Sequence, residues 1–382
     1  MAVVVKPVES ASERRLFAAF PRQVYRNEPY WIPPLASEVR SLIHSGNHPF
    51  HEHADIGLFL ARNEGRIVGR IAACVNHTFN EFHKQRVAVF GLFEALPEYE
   101  YAAALFRRAA TWATERGMTI LRGPMSFSTN EDCGLLAEGF DSYPCIMMPY
   151  NPPHYTQFVE RFGFTGVRDL LAFVIESQEI PTRLEEGAQA VLRRTRAKVR
   201  PINFDEFDQE TALLHDLYGD AWSDNWGYSP IPLEEFRWRA EKLKKLVDPE
   251  LVPILEVNGE AVGFAAILPD INEILHPVKK WPAFTHLPWL LVRWRAIRGV
   301  RVLMMGIRKS HRRLGLDSVL YWTIYRTCLA RGVERAELSW VLDNNDPLLN
   351  AFRYLNARQS KVYRLYDYPL DGQTPPHQDP DE

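Results

Sequence analysis

Met305-Gly306-Ile307-Arg308-Lys309-Ser310-His311-Arg312-Arg313-Leu314-Gly315-Leu316-Asp317 decides how this chain folds. An apolar run, Val302 to Ile307, enters a loop carrying Arg308, Lys309, Arg312 and Arg313. Gly315 follows, and then Leu320, Ile324 and Cys328 recur at the spacing of one helical face. A helix start leaves backbone N–H groups unpaired and carries the positive end of the helix dipole. Glycine permits close approach to the backbone, so this strand–loop–helix junction predicts an anion site.

The surrounding chain repeats itself. Phe59-Leu60-Ala61-Arg62-Asn63-Glu64-Gly65-Arg66-Ile67-Val68-Gly69 reads as strand, tight turn, strand, and so does Leu255-Glu256-Val257-Asn258-Gly259-Glu260-Ala261-Val262-Gly263. About 194 residues separate Gly65 from Gly259, and the same number separates Gly69 from Gly263. Leu105, Phe106, Ala109, Ala110 and Ala113 share a helical face that ends at Arg116-Gly117. The second helix ends likewise at Arg331-Gly332. Apolar strands follow, Met118 to Leu121 and Ala336 to Val341. Each half therefore reads β-β, helix, β. Insertions differ: 123–144 in the first half and 276–300 in the second. Insertions in a shared scaffold tend to carry function. The junction is expected within 176–205, which holds the basic run Arg193 to Arg200. That run reads as a solvated helix face, with a phosphate or lipid contact as the alternative.

The chain has 382 residues, 46% hydrophobic and 24% charged, which excludes wholesale disorder. Net charge is −3, so nucleic-acid binding is not expected from global charge. Cys74, Cys133, Cys145 and Cys328 form no CxxC, which argues against a zinc knuckle or redox dithiol. Met1 to Ser10 does not read as a signal peptide, and no apolar run reaches membrane-spanning length. A cytoplasmic protein is expected, peripheral on the inner membrane face if it meets a membrane. The tail 372–382 is expected to be disordered.

The basic loop resembles the acyl-CoA pyrophosphate loop of GNAT acyltransferases, [Gln/Arg]-x-x-Gly-x-[Gly/Ala] after a strand. Arg312 and Gly315 match, while Asp317 stands at the final position. The resemblance implies an α/β protein of two tandem GNAT-like folds, 1–176 and 177–371. It implies acyl-CoA contacts at Met305, Gly306, Ile307, Arg308, Arg312, Arg313, Leu314, Gly315, Leu316 and Asp317, with no metal. The equivalent segment of the first half, Phe90 to Glu100, is acidic and lacks the Arg-x-x-Gly spacing. One coenzyme site is therefore expected, in the second half, with the first half shaping the acceptor site. Tandem arrangements of this kind resemble N-myristoyltransferases and Fem-like transferases. Gly123-Pro124, Asn130-Glu131, Gly134-Leu135-Leu136, Gly139-Phe140-Asp141, Asn151 to Tyr155 and Ala221 to Gly227 resemble a bacterial tandem-GNAT family that includes bacterial ceramide synthases. That likeness implies N-acylation of a hydrophobic amine, possible acceptors including a sphingoid long-chain base.

Acyl transfer to an amine needs a proton acceptor, oxyanion donors and a compensated thiolate. Glu131, Glu94 and Glu337 are the candidate bases retained from a set that also contains Asp224 and Asp270. GNAT enzymes often protonate the thiolate with a Tyr about seven residues after an Asn. Counting from Asn345 gives Phe352, so Tyr363 or Tyr366 is the candidate replacement, and Tyr354 points elsewhere on its helix. Asn130, Tyr155, Trp222, Asn225 and Trp226 are expected to shape the acceptor pocket. His44, His48, His51 and His53 fit no standard zinc spacing. Alternatives to the lipid N-acyltransferase are a soluble acetyl-CoA-dependent N-acetyltransferase and a non-catalytic acyl-CoA-binding regulator.

From Ile274 to Leu316 there is no Asp or Glu, but ten Lys or Arg, with Trp281, Trp289 and Trp294 among them. Its part 279–301 suits an anionic membrane surface, a lid over an acyl chain, or a buried helix with snorkelling cations.

Overall fold

The computed structural model describes residues 3–371 except 35, 45, 47 and 177. The tail 372–382 lies outside the described residues. The chain divides into two compact units, Met1–Leu170 with Lys361–Glu382, and Leu171–Ser360. Both limits fall inside strands.

Unit 1 begins with β1 (Val4–Pro7), α1 (Ala11–Ala19), α2 (Pro21–Val24) and α3 (Ala36–Ile43). It continues through β2 (Ala54–Asn63), β3 (Arg66–Asn76), α4 (His77–His83), β4 (Val87–Ala95) and α5 (Tyr99–Thr114). Then come β5 (Ile120–Gly123), β6 (Leu135–Glu138), α6 (His154–Phe162) and β7 (Thr165–Ile175), which runs across the limit. Unit 2 holds α7 (Thr182–Thr195), β8 (Lys198–Pro201), α8 (Phe207–Trp222), α9 (Leu233–Lys244), β9 (Pro253–Val257) and β10 (Glu260–Pro269). It continues with α10 (Asn272–Leu275), α11 (His286–Arg293), β11 (Gly299–Ile307), α12 (Leu316–Ala330), β12 (Arg335–Leu342) and α13 (Asp346–Tyr354). The last strand, β13 (Arg358–Pro369), returns to unit 1.

The repeated hairpins form as their turn residues require. Glu64-Gly65 and Asn258-Gly259 all have positive φ, at 51°, 78°, 53° and 85°, matching the twist of two-residue hairpins. In unit 1 the strands β1 to β4 pair antiparallel, and β4 pairs parallel with β5. The apolar face of α5 buries Ala102, Leu105, Phe106, Ala109 and Ala113 in one core with Phe90 and Phe93. β13 joins this sheet beside β5: Tyr366 pairs with Gly123 and Tyr368 with Leu121. Arg122 donates two 2.7 Å hydrogen bonds to Asp367 across that pairing. A bidentate, mostly buried pair fixes the register more firmly than an exposed one.

In unit 2, β12, β11, β10, β9 and β8 neighbour one another in that order. Adjacent residues on a strand face opposite sides of a sheet. Ile254 packs with Leu217 and Tyr218 of α8, whereas Leu255 packs with Leu316, Val319 and Leu320 of α12. The two helices therefore cover opposite faces. The basic segment within 176–205 is α7 and β8, and α7 buries Ala188 and Val191 beneath α12.

Candidate functional site

Two strands part beside the basic loop. β11 and β12 pair in parallel from Gly299–Arg335 to Val302–Leu338, and among the described residues this pairing goes no further. β11 nevertheless runs on to Ile307 and β12 to Leu342. A bulge marks the point: Ile267 pairs with Val302 but Ala266 pairs with Met304, leaving Leu303 extra. Beyond it, β11 stays paired with β10, and the Arg308 N–H donates to the Val262 carbonyl at 2.7 Å. Backbone donors alternate along a strand, so the N–H groups of Met305 and Ile307 face the edge from which β12 has departed. A ligand lying there meets two backbone donors.

The loop then climbs onto α12. Gly315 caps the helix at φ 76°, a left-handed conformation that glycine adopts without strain, and no side chain caps the first turn. The Arg194 guanidinium of α7 donates to the Leu314 carbonyl at 2.7 Å, so one cation of the Arg193 to Arg200 run braces the loop. Asp317 is exposed in the first turn of α12, where it does not serve as the N-cap.

Acidic residues of α8 and of the turn after it receive the loop's cations. Asp216 pairs with Arg308, Asp220 accepts the Lys309 backbone N–H at 2.6 Å, and Asp224 pairs with Lys309 Nζ at 2.7 Å. Asp216 and Asp224 are exposed, and pairs of that kind contribute up to about 1 kcal/mol. The bond from a backbone N–H to a carboxylate is the stronger fixing contact. Arg312 donates to the Ala221 carbonyl. Trp222 lies over the strand itself: a Cβ on Gly306 would sit 2.3 Å from its Cζ3. Trp222 also stacks on Tyr218, at 5.2 Å between ring centroids. Asn225 and Trp226 follow in the adjoining turn, where the Asn225 N–H donates to the Trp222 carbonyl.

The four acid–base candidates have different surroundings. Glu337 is wholly buried in β12, accepting from Ser339 Oγ at 2.9 Å and from Arg335 at 3.3 Å. Tyr363 is wholly buried in β13, opposite Leu136. Glu94 is buried in unit 1 with Arg70, Tyr25 and Tyr155. The Tyr155 hydroxyl donates to Glu94 Oε2 at 3.1 Å and accepts from the Ala95 N–H at 2.7 Å, so Tyr155 lies in the core. Arg70 stands 3.9 Å from Glu94, and its guanidinium donates to the Phe17 carbonyl.

Burial pushes the Glu94 carboxyl up from 4.5 to about 7, against the opposing pull of Arg70 and hydrogen bonds from Tyr25 and Tyr155. A carboxyl raised on folding binds more protons in the folded state within that window. Stability therefore falls as pH rises from about 4.5 to about 7. We expect the thermal midpoint to drop across this range, and Glu94→Gln to remove that part of the slope, as followed by calorimetry at stepped pH.

Glu131 sits in the inserted loop between β5 and β6. Its N–H donates to the Ser128 carbonyl, and the Asn130 N–H to Ser128 Oγ. His48 lies 3.4 Å away, Nε2 to Oε1, and is almost fully buried. The Phe50 N–H donates to His48 Nδ1 at 3.2 Å, so the proton of the neutral ring sits on Nε2 and points at Glu131. The sequence gives no sign of this pair, because His48 lies 83 residues from Glu131. Among the described residues, no group of three or more His, Cys, Asp or Glu is placed to hold a metal ion.

Comparison with known proteins places this geometry. The profile of the Acetyltransferase (GNAT) family matches residues 211–356, which contain the parted strands and the loop. A protein named bacterial ceramide synthase, from Caulobacter vibrioides (strain NA1000 / CB15N), is 32% identical over 379 residues, spanning 96% of this chain and 97% of that one.

The chain belongs to the GNAT family.

Protein YghO of Escherichia coli (strain K12) is 30% identical over 374 residues, spanning 95% of each chain. A tandem GNAT protein from the clavulanic acid biosynthesis pathway has the same fold, with a TM-score of 0.56 at 11% identity, covering 97% of this chain and 100% of that one. The two units are GNAT-like folds in tandem, as the internal repeat implied. They differ at the corresponding parallel strand pair. In unit 1, β4 and β5 pair from Val87–Ile120 to Val89–Arg122, and then Met125 donates to the Phe90 carbonyl. A Cβ on Gly91 would meet the Met125 carbonyl oxygen at 2.0 Å, so backbone fills that space. Unit 2 keeps both the parted edge and the basic loop.

Phe352, at the position where many GNAT enzymes carry Tyr, is buried against Phe173 at 5.1 Å between centroids. Asp317 sets a second test on the GNAT loop. Its carboxylate stands at the anion-attracting end of α12 and would oppose a phosphate bound there. We expect Asp317→Ala to tighten acyl-CoA binding by about three- to tenfold in calorimetric titration, more at low salt than at high.

Proposed function

We propose that this chain transfers an acyl group from acyl-CoA to the nitrogen of a hydrophobic amine, with a sphingoid base as the leading acceptor. The observation that carries the reading is the parted β11–β12 edge leading into the Gly315 loop at the start of α12. The 32% identity to a protein named bacterial ceramide synthase, over almost the whole of both chains, supports the acceptor class.

In this reading the pyrophosphate lies over the α12 start, where Gly315, Leu316 and Asp317 present backbone to it. Arg313 supplies charge, while Arg308, Lys309 and Arg312 shape the loop through their bonds to α8 and β10. The Met305 and Ile307 N–H groups stabilise the oxyanion. The amine nitrogen attacks the thioester carbon, the carbon–sulfur bond breaks, and CoA leaves as thiolate. The amine's proton goes to a carboxylate. We take Glu131 for that role on its own surroundings within unit 1. It is partly exposed, with 21% of its side-chain surface accessible, and the His48 ring lies against it. Glu337 is buried with Arg335, and Glu94 is enclosed by Arg70 and two tyrosines.

The test is CoA-thiol release by purified protein given acetyl- to long-chain acyl-CoA, with and without a sphingoid base. Base-dependent release with longer chains, and an amide product by mass spectrometry, is the expected result. Release with acetyl-CoA and polar amines only would replace this reading with a soluble N-acetyltransferase. Acyl-CoA binding without release toward any amine tried would leave a regulator.

A further inference from the structure

The insertion between β10 and β11 carries a surface that the acyl-transfer chemistry does not use. α11 and the turns before it have two distinct faces. On one, Leu290 and His286 are buried, and the Trp289 indole donates to the Ile274 carbonyl at 2.9 Å. Trp281 packs edge-on against Trp289 at 5.4 Å. These contacts anchor the segment. On the other face the apolar side chains stand in solvent: Phe284 is 80% exposed, Leu287 65%, Leu291 73% and Val292 78%. Leu287 and Leu291 are one helical turn apart, so with Phe284 and Val292 they form one stripe. Exposed apolar residues are ordinary when scattered, but a contiguous stripe marks a contact surface.

The charge around the stripe identifies what it contacts. Lys280, Arg293, Arg295 and Arg298 are exposed on its flanks, and no Asp or Glu occurs from Ile274 to Leu316. Apposing two copies of this surface would bring cationic flanks together. A bilayer with anionic headgroups satisfies both features at once: acyl chains receive the stripe and phosphates receive the flanks. No helix among the described residues is long and apolar enough to cross a membrane, so the segment would rest on the leaflet rather than span it.

We propose that residues 279–298 dock this protein on an anionic lipid leaflet, with Phe284, Leu287, Leu291 and Val292 entering the acyl region. The inference goes beyond the acyl-transfer reading and does not depend on which amine is acylated.

The experiment is co-sedimentation of the full chain with phosphatidylcholine vesicles, with and without phosphatidylglycerol. We expect binding to the phosphatidylglycerol vesicles, weaker binding to phosphatidylcholine alone, and release as salt rises. The combined variant Phe284→Ser, Leu287→Ser, Leu291→Ser should lose about tenfold or more of that binding with an unchanged thermal midpoint, since all three side chains are already in water. A separate Lys280→Gln, Arg295→Gln variant should lose the preference for anionic vesicles. Wild-type protein remaining in the supernatant would overturn the proposal. So would a serine variant that sediments like wild type. Light scattering that finds a wild-type dimer and a monomeric serine variant would reassign the stripe to contact between copies.

Discussion

Glu131→Gln is expected to lower kcat for amide formation by about 10²- to 10⁴-fold, the usual contribution of a positioned proton acceptor. The KM for acyl-CoA should stay near the wild-type value, because the substitution leaves the β11 edge and the α12 loop untouched. The replacement is nearly isosteric, and Glu131 contacts solvent on one side, so the thermal midpoint should hold. His48 supplies an internal control. It reaches Glu131 through Nε2–H while the Phe50 N–H holds Nδ1. His48→Gln keeps a donor near Glu131 and should cost kcat less than Glu131→Gln, again without moving KM. Equal turnover in wild type and Glu131→Gln, with folding intact, would remove Glu131 from the chemistry.

The second large effect is expected at Gly306. Its missing side chain is filled by Trp222, with Cζ3 and Cη2 at 2.3 and 2.5 Å from where a Cβ would lie and the Ala221 Cβ at 3.0 Å. Gly306→Ala forces the indole off the strand, at a cost of about 1–3 kcal/mol typical of overpacking. Displacing α8 also disturbs Asp220, which fixes the Lys309 N–H, so acyl-CoA affinity should fall together with stability. Trp222→Leu in the same chain makes room for the new methyl. A double-mutant cycle on thermal or denaturant unfolding should then show a coupling of about 0.5–3 kcal/mol. Additive effects would mean that the close approach does not constrain the loop.

Local chemistry made much of this legible in advance. The Asn258-Gly259 and Glu64-Gly65 turns announce hairpins because few residue pairs take positive φ in succession. The Gly315 loop could be placed for the same reason, and the equal offset between paired glycines exposed the tandem repeat. Contacts between distant segments were not legible. Nothing in the residues around Glu131 points to His48, and nothing near Glu94 points to Tyr155 or Arg70. The acidic row Asp216, Asp220 and Asp224 has a helical spacing, yet only the fold brings it to the basic loop. The role of Arg194 was hidden for the same reason, since a cation on a helix reads as solvated until its partner is known. Fold follows here from periodicity and turn chemistry, whereas site geometry depends on pairings that no short window contains.

The return of the final strand bears on how the protein is made. Unit 2 is one continuous stretch, Leu171–Ser360. Unit 1 takes its β5 partner from Tyr366 to Pro369, some of the last described residues of the chain. A ribosome delivers the N-terminus first, and domains generally fold as they emerge. Here β5 emerges with one edge unpaired until Tyr366 to Pro369 have been made, and such an edge invites pairing with other chains. The half that starts second is the half able to finish first. Loss of the final strand would leave every residue of the basic Gly315 loop in place and still strip β5 of its neighbour on the side away from β4.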